Sequence, residues 1–224
     1  MSISVLDFGY VKYIENWGSD ERIVEAARMS TSKGFQGWET DLRLLQYLWT
    51  NHHHTPFEMA GLTIEVQAPL FVFREWHRHR TQSYNELSAR YTKLPDLYYI
   101  PSIERIQNSK QAASNKQGSE DGIDSTKAMV IQGRITCATA TAREYYEELL
   151  ELGVSREVAR VVIPVNQYSR MRASANLRNW LHFLTLRVAP NAQWEIRQYA
   201  DAVSTIVKQW FPRTHALWEA EINN

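Results

Sequence analysis

The feature that most constrains the fold of this chain is a set of strand-like segments that lie far apart in the sequence. Residues 62–69, LTIEVQAP, alternate apolar and polar side chains up to a proline, as a half-buried strand does. Residues 3–13 mix apolar and β-branched types, and residues 166–176 are polar but compatible with a strand. Because helical patterns occupy the intervals between these segments, we predict a mixed α and β (α+β) fold.

Helical periodicity covers most of the remaining chain. Residues 38–53 place leucines at helical spacing, and the run from Thr55 to Glu58, with a proline second, has the pattern of a helix start. The other predicted helices cover residues 20–30, 70–80, 126–152, 155–164, 176–188 and 192–211. Since no repeat or second composition block marks a boundary, we predict a single domain over residues 1–224, with a flexible insertion at about 105–124.

Composition and charge argue against several classes of protein. Hydrophobic residues make up 44% and charged residues 22% of the chain, as in a folded domain. Lys plus Arg and Asp plus Glu both number 25, so no overall positive field attracts nucleic acid or an anionic membrane. No apolar run approaches the ~18 residues that cross a bilayer, and no signal-peptide pattern is present. Because Cys137 is the only cysteine, which suits a reducing compartment, we expect a cytoplasmic protein.

Polar and charged side chains are densest in residues 78–91, RHRTQSYNELSARY. If the backbone from Glu86 to Arg90 is extended, then Glu86, Ser88 and Arg90 point to the same side and form one wall. Arginine side chains bind phosphate through two parallel hydrogen bonds. Arg78, Arg80 and Arg90 are therefore candidates to hold a nucleotide phosphate or pyrophosphate.

Other interpretations of the same residues remain open at this stage. The cluster could be a solvated basic loop held by surface ion pairs, or a single-strand nucleic-acid module in which RHR and RMR bind phosphates. An inactive helical scaffold would leave the polar wall around Ser88 without an explanation. The histidines at 52–54, with His77 and His79, suggest a metal site, but adjacent histidines cannot all face one ion and no H-E-x-x-H pattern is present, so we expect no metal.

The RHR triplet, followed after seven residues by Ser88 and then by Arg90-Tyr91, resembles the signature of the flavin-dependent thymidylate synthases. Further segments stand in the order found in that family, so the resemblance spans nearly the whole chain apart from the insertion. These segments are His53 with Thr55, FREW before HRHR, Glu157–Arg160, Asn176–Arg178, Leu186–Arg187 and Ala192–Glu195.

The resemblance implies a homotetramer with active sites between subunits and a small antiparallel sheet flanked by long helices. It implies a non-Rossmann flavin site, and the chain contains neither G-x-G-x-x-G nor a phosphate-loop lysine. In the implied reaction, dUMP becomes dTMP by taking a one-carbon unit from 5,10-methylenetetrahydrofolate and a hydride from FAD that NADPH has reduced. No cysteine nucleophile is required, and Cys137, within a long predicted helix, is expected to serve in packing.

The resemblance also implies the site residues. Those expected at FAD are His53, Thr55, Arg78, His79, Arg80, Asn85, Glu86, Asn176, Arg178 and His182. Those expected at dUMP are Glu75, Arg78, Glu86, Ser88, Ala89, Arg90, Arg160 and Arg187. Ser88 would polarise or position the nucleotide, and Arg187 would favour the ionised N3 of the pyrimidine, because a fixed cation stabilises an anion beside it.

Two positions depart from the family pattern. Glu75 stands where glutamine is frequent, so a direct contact with dUMP is less expected than a role in orienting Arg78. His182 stands where some members have asparagine, and a histidine can both bond the flavin edge and carry a proton. Arg178 and His182 are four residues apart in a predicted helix and should share one face.

Overall fold

The computed structural model describes residues 1–111 and 119–223 and contains a five-stranded antiparallel sheet. The strands of this sheet are β1 (Ser2–Val5), β2 (Gly9–Trp17), β3 (Gly61–Pro69), β4 (Ser83–Glu86) and β7 (Tyr168–Asn176), and a separate pair is β5 (Lys110–Gln111) with β6 (Ser119–Glu120). The strand order in the sheet is β1-β2-β3-β7-β4. The predicted α+β class, with strands drawn from distant parts of the sequence, is confirmed.

The helices surround this sheet. They are α1 (Asp20–Arg28), α2 (Trp38–Thr50), α3 (Leu70–Trp76), α4 (Ile103–Gln107), α5 (Ser125–Glu151), α6 (Arg156–Ala159), α7 (Leu177–Arg187), α8 (Trp194–Trp210) and α9 (Pro212–Ile222). Short 3-10 helices cover Met29–Thr31, Thr55–Met59 and Arg160–Val162. Among the described residues, no helix is long and apolar enough to cross a membrane.

One face of the sheet packs against helices and forms one side of the hydrophobic core. Leu62, Ile64 and Val66 of β3 are fully buried, and α3, α7 and α8 pack above them. The fully buried indole N–H groups of Trp76 and Trp180 both have partners: Trp76 donates to the Gln82 side chain at 3.1 Å and Trp180 donates to the Leu62 carbonyl at 3.0 Å. The alternation predicted for residues 62–69 is therefore confirmed, and its apolar side faces the helices.

The prediction of one strand over residues 3–13 is wrong, because the chain forms the hairpin of β1 and β2 there. Leu6 takes a positive φ of 57° at the turn. Gly9 begins β2, where a Cβ would lie 2.0 Å from the Tyr199 hydroxyl oxygen, so only glycine fits without a shift. The alternation of residue types cannot reveal a turn that depends on such a tertiary contact.

Helix α3 ends at Trp76, so the prediction that it continues through Arg80 is wrong. The chain turns sharply, with the His79 N–H donating to the Trp76 carbonyl at 3.0 Å. The Tyr84 hydroxyl reaches back to the carbonyls of Trp76, at 3.2 Å, and His79, at 2.7 Å. The Tyr84 hydroxyl thus occupies the carbonyls of Trp76 and His79, which a longer helix would have used for its own hydrogen bonds. The RHR triplet therefore lies in a turn.

The backbone from Glu86 to Arg90 also forms a turn and is not extended. Strand β4 ends at Glu86, and the Leu87 N–H makes a further bond to the Arg170 carbonyl at 2.7 Å. The N–H groups of Tyr91 and Thr92 then both donate to the Ser88 carbonyl at 3.1 Å. Glu86, Ser88 and Arg90 therefore do not form one regular strand face, and Ser88 begins a turn instead.

The segment predicted as an insertion borders ordered structure. Arg105 of α4 donates from Nε to Glu195 at 2.8 Å, and Tyr99 donates to the same carboxylate at 3.2 Å. Glu195 is only 4% exposed, so these bonds fix Tyr99 and the first residue of the predicted insertion to α8. Residues 112–118 lie outside the described part of the chain, and the flexibility of the insertion stays a prediction.

Helix α5 has 27 residues and little cover within the chain. Asp124 caps it by accepting from the Lys127 N–H at 2.9 Å. Its buried residues are Ala128, Thr139 and Tyr146. Cys137 is exposed, so the expectation that its thiol packs inside the chain is wrong.

Candidate active site

The turn that follows β4 borders a cavity of about 630 Å³, here named the Ser88 cavity. Its lining includes the polar residues Glu86, Ser88, Arg160, Arg74 and His77, together with Ala89. Apolar side chains, including those of Phe73 and Ile163, form the rest of its wall. Four residues assigned to the nucleotide by sequence resemblance, which are Glu86, Ser88, Ala89 and Arg160, are therefore gathered around one space.

A second cavity, of about 600 Å³, lies along the same segment. Asn85, Glu86 and Ser88 line it together with Arg170 and Arg172 of β7. The segment from Glu86 to Ser88 thus borders both cavities and can contact ligands in each.

Arg187 is held at the end of α7 by three hydrogen bonds. Its Nε donates to His79 Nε2 at 2.8 Å, its Nη1 to the Glu75 carboxylate at 3.0 Å, and its Nη2 to the Glu75 carbonyl at 2.9 Å. The side chain of Arg187 is 14% exposed and that of Glu75 is 41% exposed. Helices α3 and α7 are thereby joined by one buried guanidinium.

The bond from Arg187 fixes the protonation state of His79. Arginine can only donate, so His79 Nε2 must accept and the ring proton must lie on Nδ1. Burial lowers the pKa of His79 to about 4, with further lowering by the positive charges of Arg187 and His182. His79 is therefore neutral at physiological pH and presents one defined N–H.

A third cavity, of about 470 Å³, is here named the Arg178 cavity. It combines polar groups with large apolar walls, and its lining includes Arg178, His182, Thr81, Trp49, Phe57 and Trp218. Arg178 also forms an ion pair with Glu58 at 2.6 Å. Arg178 and His182 do share one helical face, as their spacing predicts.

Several of the predicted residues lie outside the three cavities and make no hydrogen bond with Arg187. His53 is exposed, and its ring lies against Tyr47 with 5.6 Å between centroids. Thr55 is exposed at the start of its 3-10 helix, and Asn176 caps α7 by accepting from the Asn179 N–H at 3.0 Å. Arg90 forms an exposed pair with Glu157, at 3.6 Å, and its guanidinium lies over the Tyr91 ring, 6.0 Å from the centroid.

Three of the predicted arginines have free guanidinium groups. In residues 1–111 and 119–223, the side chains of Arg78, Arg80 and Arg160 make no ion pair or hydrogen bond and are exposed. An unpaired guanidinium group is available to an anion such as a phosphate, and that of Arg160 lies in the lining of the Ser88 cavity.

Comparison with known proteins decides the family. Residues 12–213 match the family model described as thymidylate synthase complementing protein. A flavin-dependent thymidylate synthase of Thermus thermophilus is 42% identical over 222 residues, which are 99% of this chain and 80% of the relative. The chain belongs to the flavin-dependent thymidylate synthase family. Another member, from Thermotoga neapolitana, is 40% identical over 215 residues, or 96% of this chain and 93% of the relative.

Solved structures agree with this membership of the flavin-dependent thymidylate synthase family. A UMP/dUMP methylase, PolB from Streptomyces cacaoi, superposes with a TM-score of 0.87 at 31% identity and covers 97% of each chain. That protein was solved with 5-Br dUMP bound, and its complex with 5-Br UMP superposes with a TM-score of 0.86 at 32% identity. The α+β fold is therefore shared with an enzyme that methylates uracil nucleotides.

Sequence reasoning within this family missed several lining residues. Leu70, Phe73, Arg74 and His77 all line the Ser88 cavity, and their spacing of three and four residues is that of one helical face. This helical spacing could have been recognised in the sequence. His52 and His54 line the Arg178 cavity whereas His53 does not, and no sequence periodicity could have distinguished them because His52 has a positive φ of 56°.

Proposed function

We propose that this enzyme converts dUMP to dTMP, taking the carbon unit from 5,10-methylenetetrahydrofolate and using FAD reduced by NADPH. The observation that carries the proposal is the grouping of Glu86, Ser88, Ala89 and Arg160 around the Ser88 cavity, in a chain of this family. Such a cavity offers a cation, a hydroxyl and a carboxylate to one ligand, and a nucleotide monophosphate has groups that match each of them.

The nucleotide phosphate requires positive charge, which the free guanidinium groups of Arg78 and Arg160 can supply. Ser88 would hold or polarise the nucleotide through its hydroxyl, and Ala89 would contact it through the backbone. Arg90, which has only a weak surface pair, can be redirected to the ligand at little cost. Arg187 would lie at the pyrimidine and stabilise the ionised N3.

The Arg178 cavity fits part of a flavin cofactor. A flavin has a flat aromatic ring with a polar edge, and FAD adds a diphosphate, so apolar walls beside cations and amides are suitable. Trp49, Phe57 and Trp218 provide such walls, and Arg178 and His182 provide the polar groups. When bound, the FAD supplies the hydride that completes the methyl group.

The remaining residues proposed for FAD are not part of the lining of the Arg178 cavity. They are His53, Thr55, Arg78, His79, Arg80, Asn85, Glu86 and Asn176. His79 is the best defined of them, because its neutral ring offers a single donor at Nδ1. A donor of fixed direction orients a ligand without adding charge.

We propose catalysis without an enzyme cysteine. Cys137 is exposed on α5 and is not part of the lining of the Ser88 cavity or the Arg178 cavity. The protein would contribute orientation and charge, and Ser88 would not act as a covalent nucleophile. The exposed thiol is also compatible with a cytoplasmic, reducing environment.

We further propose a homotetramer whose active sites are completed by neighbouring subunits. Large apolar side chains on α5 are exposed within the single chain, including Met129 at 56%, Val130 at 58% and Tyr145 at 56%. Apolar surface on this scale is typical of a contact between subunits. Light scattering after size exclusion should give about four times the 26.1 kDa chain mass, and a monomer would contradict the proposal.

Absorption spectroscopy tests the function directly. The purified protein should show a flavin band that dUMP perturbs and that NADPH bleaches without oxygen. Release of tritium from C5 of labelled dUMP should require 5,10-methylenetetrahydrofolate. A colourless protein that binds oligonucleotides with steep salt dependence would instead support the nucleic-acid alternative.

A further inference from the structure

Glu75 contacts Arg187 through two separate oxygen atoms. Its carboxylate accepts from Nη1 at 3.0 Å and its backbone carbonyl accepts from Nη2 at 2.9 Å. Together with the bond from Nε to His79, at 2.8 Å, these contacts hold the guanidinium at all three of its nitrogens. Within the described part of the chain, no other hydrogen bond of Arg187 is present.

The three contacts fix the plane of the guanidinium and leave two of its N–H groups unpaired. A guanidinium has five N–H groups, so one N–H on each terminal nitrogen stays free for a ligand. Because a guanidinium is a rigid plane, the carbonyl and His79 would still hold two of its nitrogens without the carboxylate, and the group could tilt only about the line through those two nitrogens. The Glu75 carboxylate is thus the contact that completes the restraint, and it comes from a side chain that is 41% exposed.

We infer that Glu75 is a positioning residue that sets the orientation of Arg187 for catalysis, and that it does not bind the nucleotide itself. This inference rests on the proposed function, since it concerns the residue placed at the pyrimidine. It differs from the expectation that Glu75 orients Arg78, since no ion pair or hydrogen bond joins these two side chains within residues 1–111 and 119–223. A restrained donor pair stabilises a developing anion without having to reorganise during the reaction.

The restraint predicts different effects for two substitutions. Glu75→Gln keeps an acceptor oxygen for Arg187, so kcat should stay within about threefold of the parent value. Glu75→Leu removes the acceptor and should lower kcat by about tenfold, while the KM for dUMP changes by less than about threefold. The control is Glu219→Leu, which removes a 46% exposed glutamate from its surface pair with Lys208 and should change neither constant.

A double-mutant cycle separates an indirect role from a direct one. In an Arg187→Lys background, Glu75→Leu should have no further effect beyond about twofold, because the residue through which Glu75 acts has already been replaced. A rise in KM for dUMP of equal size in both backgrounds would mean that Glu75 binds the nucleotide and would overturn the inference. Equal damage from Glu75→Gln and Glu75→Leu would overturn it as well.

Crystal structures of the flavin-loaded variants without nucleotide provide a readout that does not depend on turnover. Arg187 should remain bonded to His79 in Glu75→Gln and should change orientation in Glu75→Leu. An unchanged Arg187 in Glu75→Leu would refute the inference even in an active enzyme. Failure of the parent protein to convert dUMP would refute the proposed function alone, since the crystal structures would still decide the position of Arg187.

Discussion

Replacing Tyr84 with phenylalanine should loosen the turn that carries the RHR triplet. The Tyr84 hydroxyl donates to the carbonyls of His79, at 2.7 Å, and Trp76, at 3.2 Å, and its ring lies edge-on to His77 with 4.9 Å between centroids. Tyr84→Phe keeps the ring and its packing but removes both hydrogen bonds. The change therefore isolates the contribution of one hydroxyl to the end of α3.

The expected cost follows from what remains bonded. The Trp76 carbonyl still accepts from the His79 N–H at 3.0 Å, and the His79 carbonyl still accepts from the Gln82 N–H at 3.3 Å. Neither carbonyl is left without a partner, so the penalty for an unsatisfied buried acceptor does not apply in full. We expect the free energy of unfolding to fall by about 1 kcal/mol, the net value of a typical hydrogen bond, and not by ~3 kcal/mol.

Thermal unfolding of the flavin-loaded protein measures this effect. A loss of about 1 kcal/mol should lower Tm by roughly 2–4 °C for a chain of this size, and flavin should dissociate about two- to fivefold faster from the loosened turn. The matched control is Tyr47→Phe, because the Tyr47 ring also lies edge-on to a histidine, His53, while its hydroxyl has no partner among residues 1–111 and 119–223. Equal Tm values for the two variants would refute the role assigned to the Tyr84 hydroxyl.

Three further predictions concern the candidate site. Ser88→Ala should retain flavin but lower turnover by roughly ten- to a hundredfold, and full activity in the tritium-release assay would remove its role. Arg187→Ala should weaken dUMP binding and lower kcat by about a hundredfold, whereas an unchanged titration of the flavin spectrum with dUMP would contradict its place at the pyrimidine. For His79, the folded-state pKa of about 4 lies below the usual 6.5, so its contribution to stability is present above pH 6.5 and is lost as pH falls toward 4. His79→Gln should flatten the dependence of Tm on pH within that window, and an equal slope in both proteins would exclude His79 as its source.

The sequence was sufficient to predict elements whose character is local. The alternation in β3 is set by neighbouring residues, and the structure confirms it. The hairpin at Leu6 and the end of α3 at Trp76 depend on contacts with Tyr199 and Tyr84, which lie elsewhere in the fold. Tertiary contacts therefore override local pattern at these points.

The same distinction applies to the candidate site. Residues 86–89 and Arg160 could be assigned in advance because family resemblance carries information about long-range proximity that periodicity does not. The bonds of Glu75 to Arg187 could not be predicted from the sequence, because they join α3 to α7 at a position where this chain departs from the family pattern. His77 was identifiable in principle from the face of α3, since it falls three residues after Arg74.

His79 explains how two separate cavities can serve one reaction. Its Nε2 accepts from Arg187, the residue proposed for the pyrimidine, and its ring centroid lies 6.3 Å from that of His182, which lines the cavity proposed for the flavin. A hydride can pass only between groups in contact, so in the proposed function the nucleotide and the flavin would have to meet close to these side chains, although His79 itself lines neither cavity. A charged imidazole there would compete with Arg187 for the pyrimidine anion, and burial prevents that by keeping His79 neutral. Under the proposed function, a neutral His79 would leave Arg187 as the principal cation beside the pyrimidine.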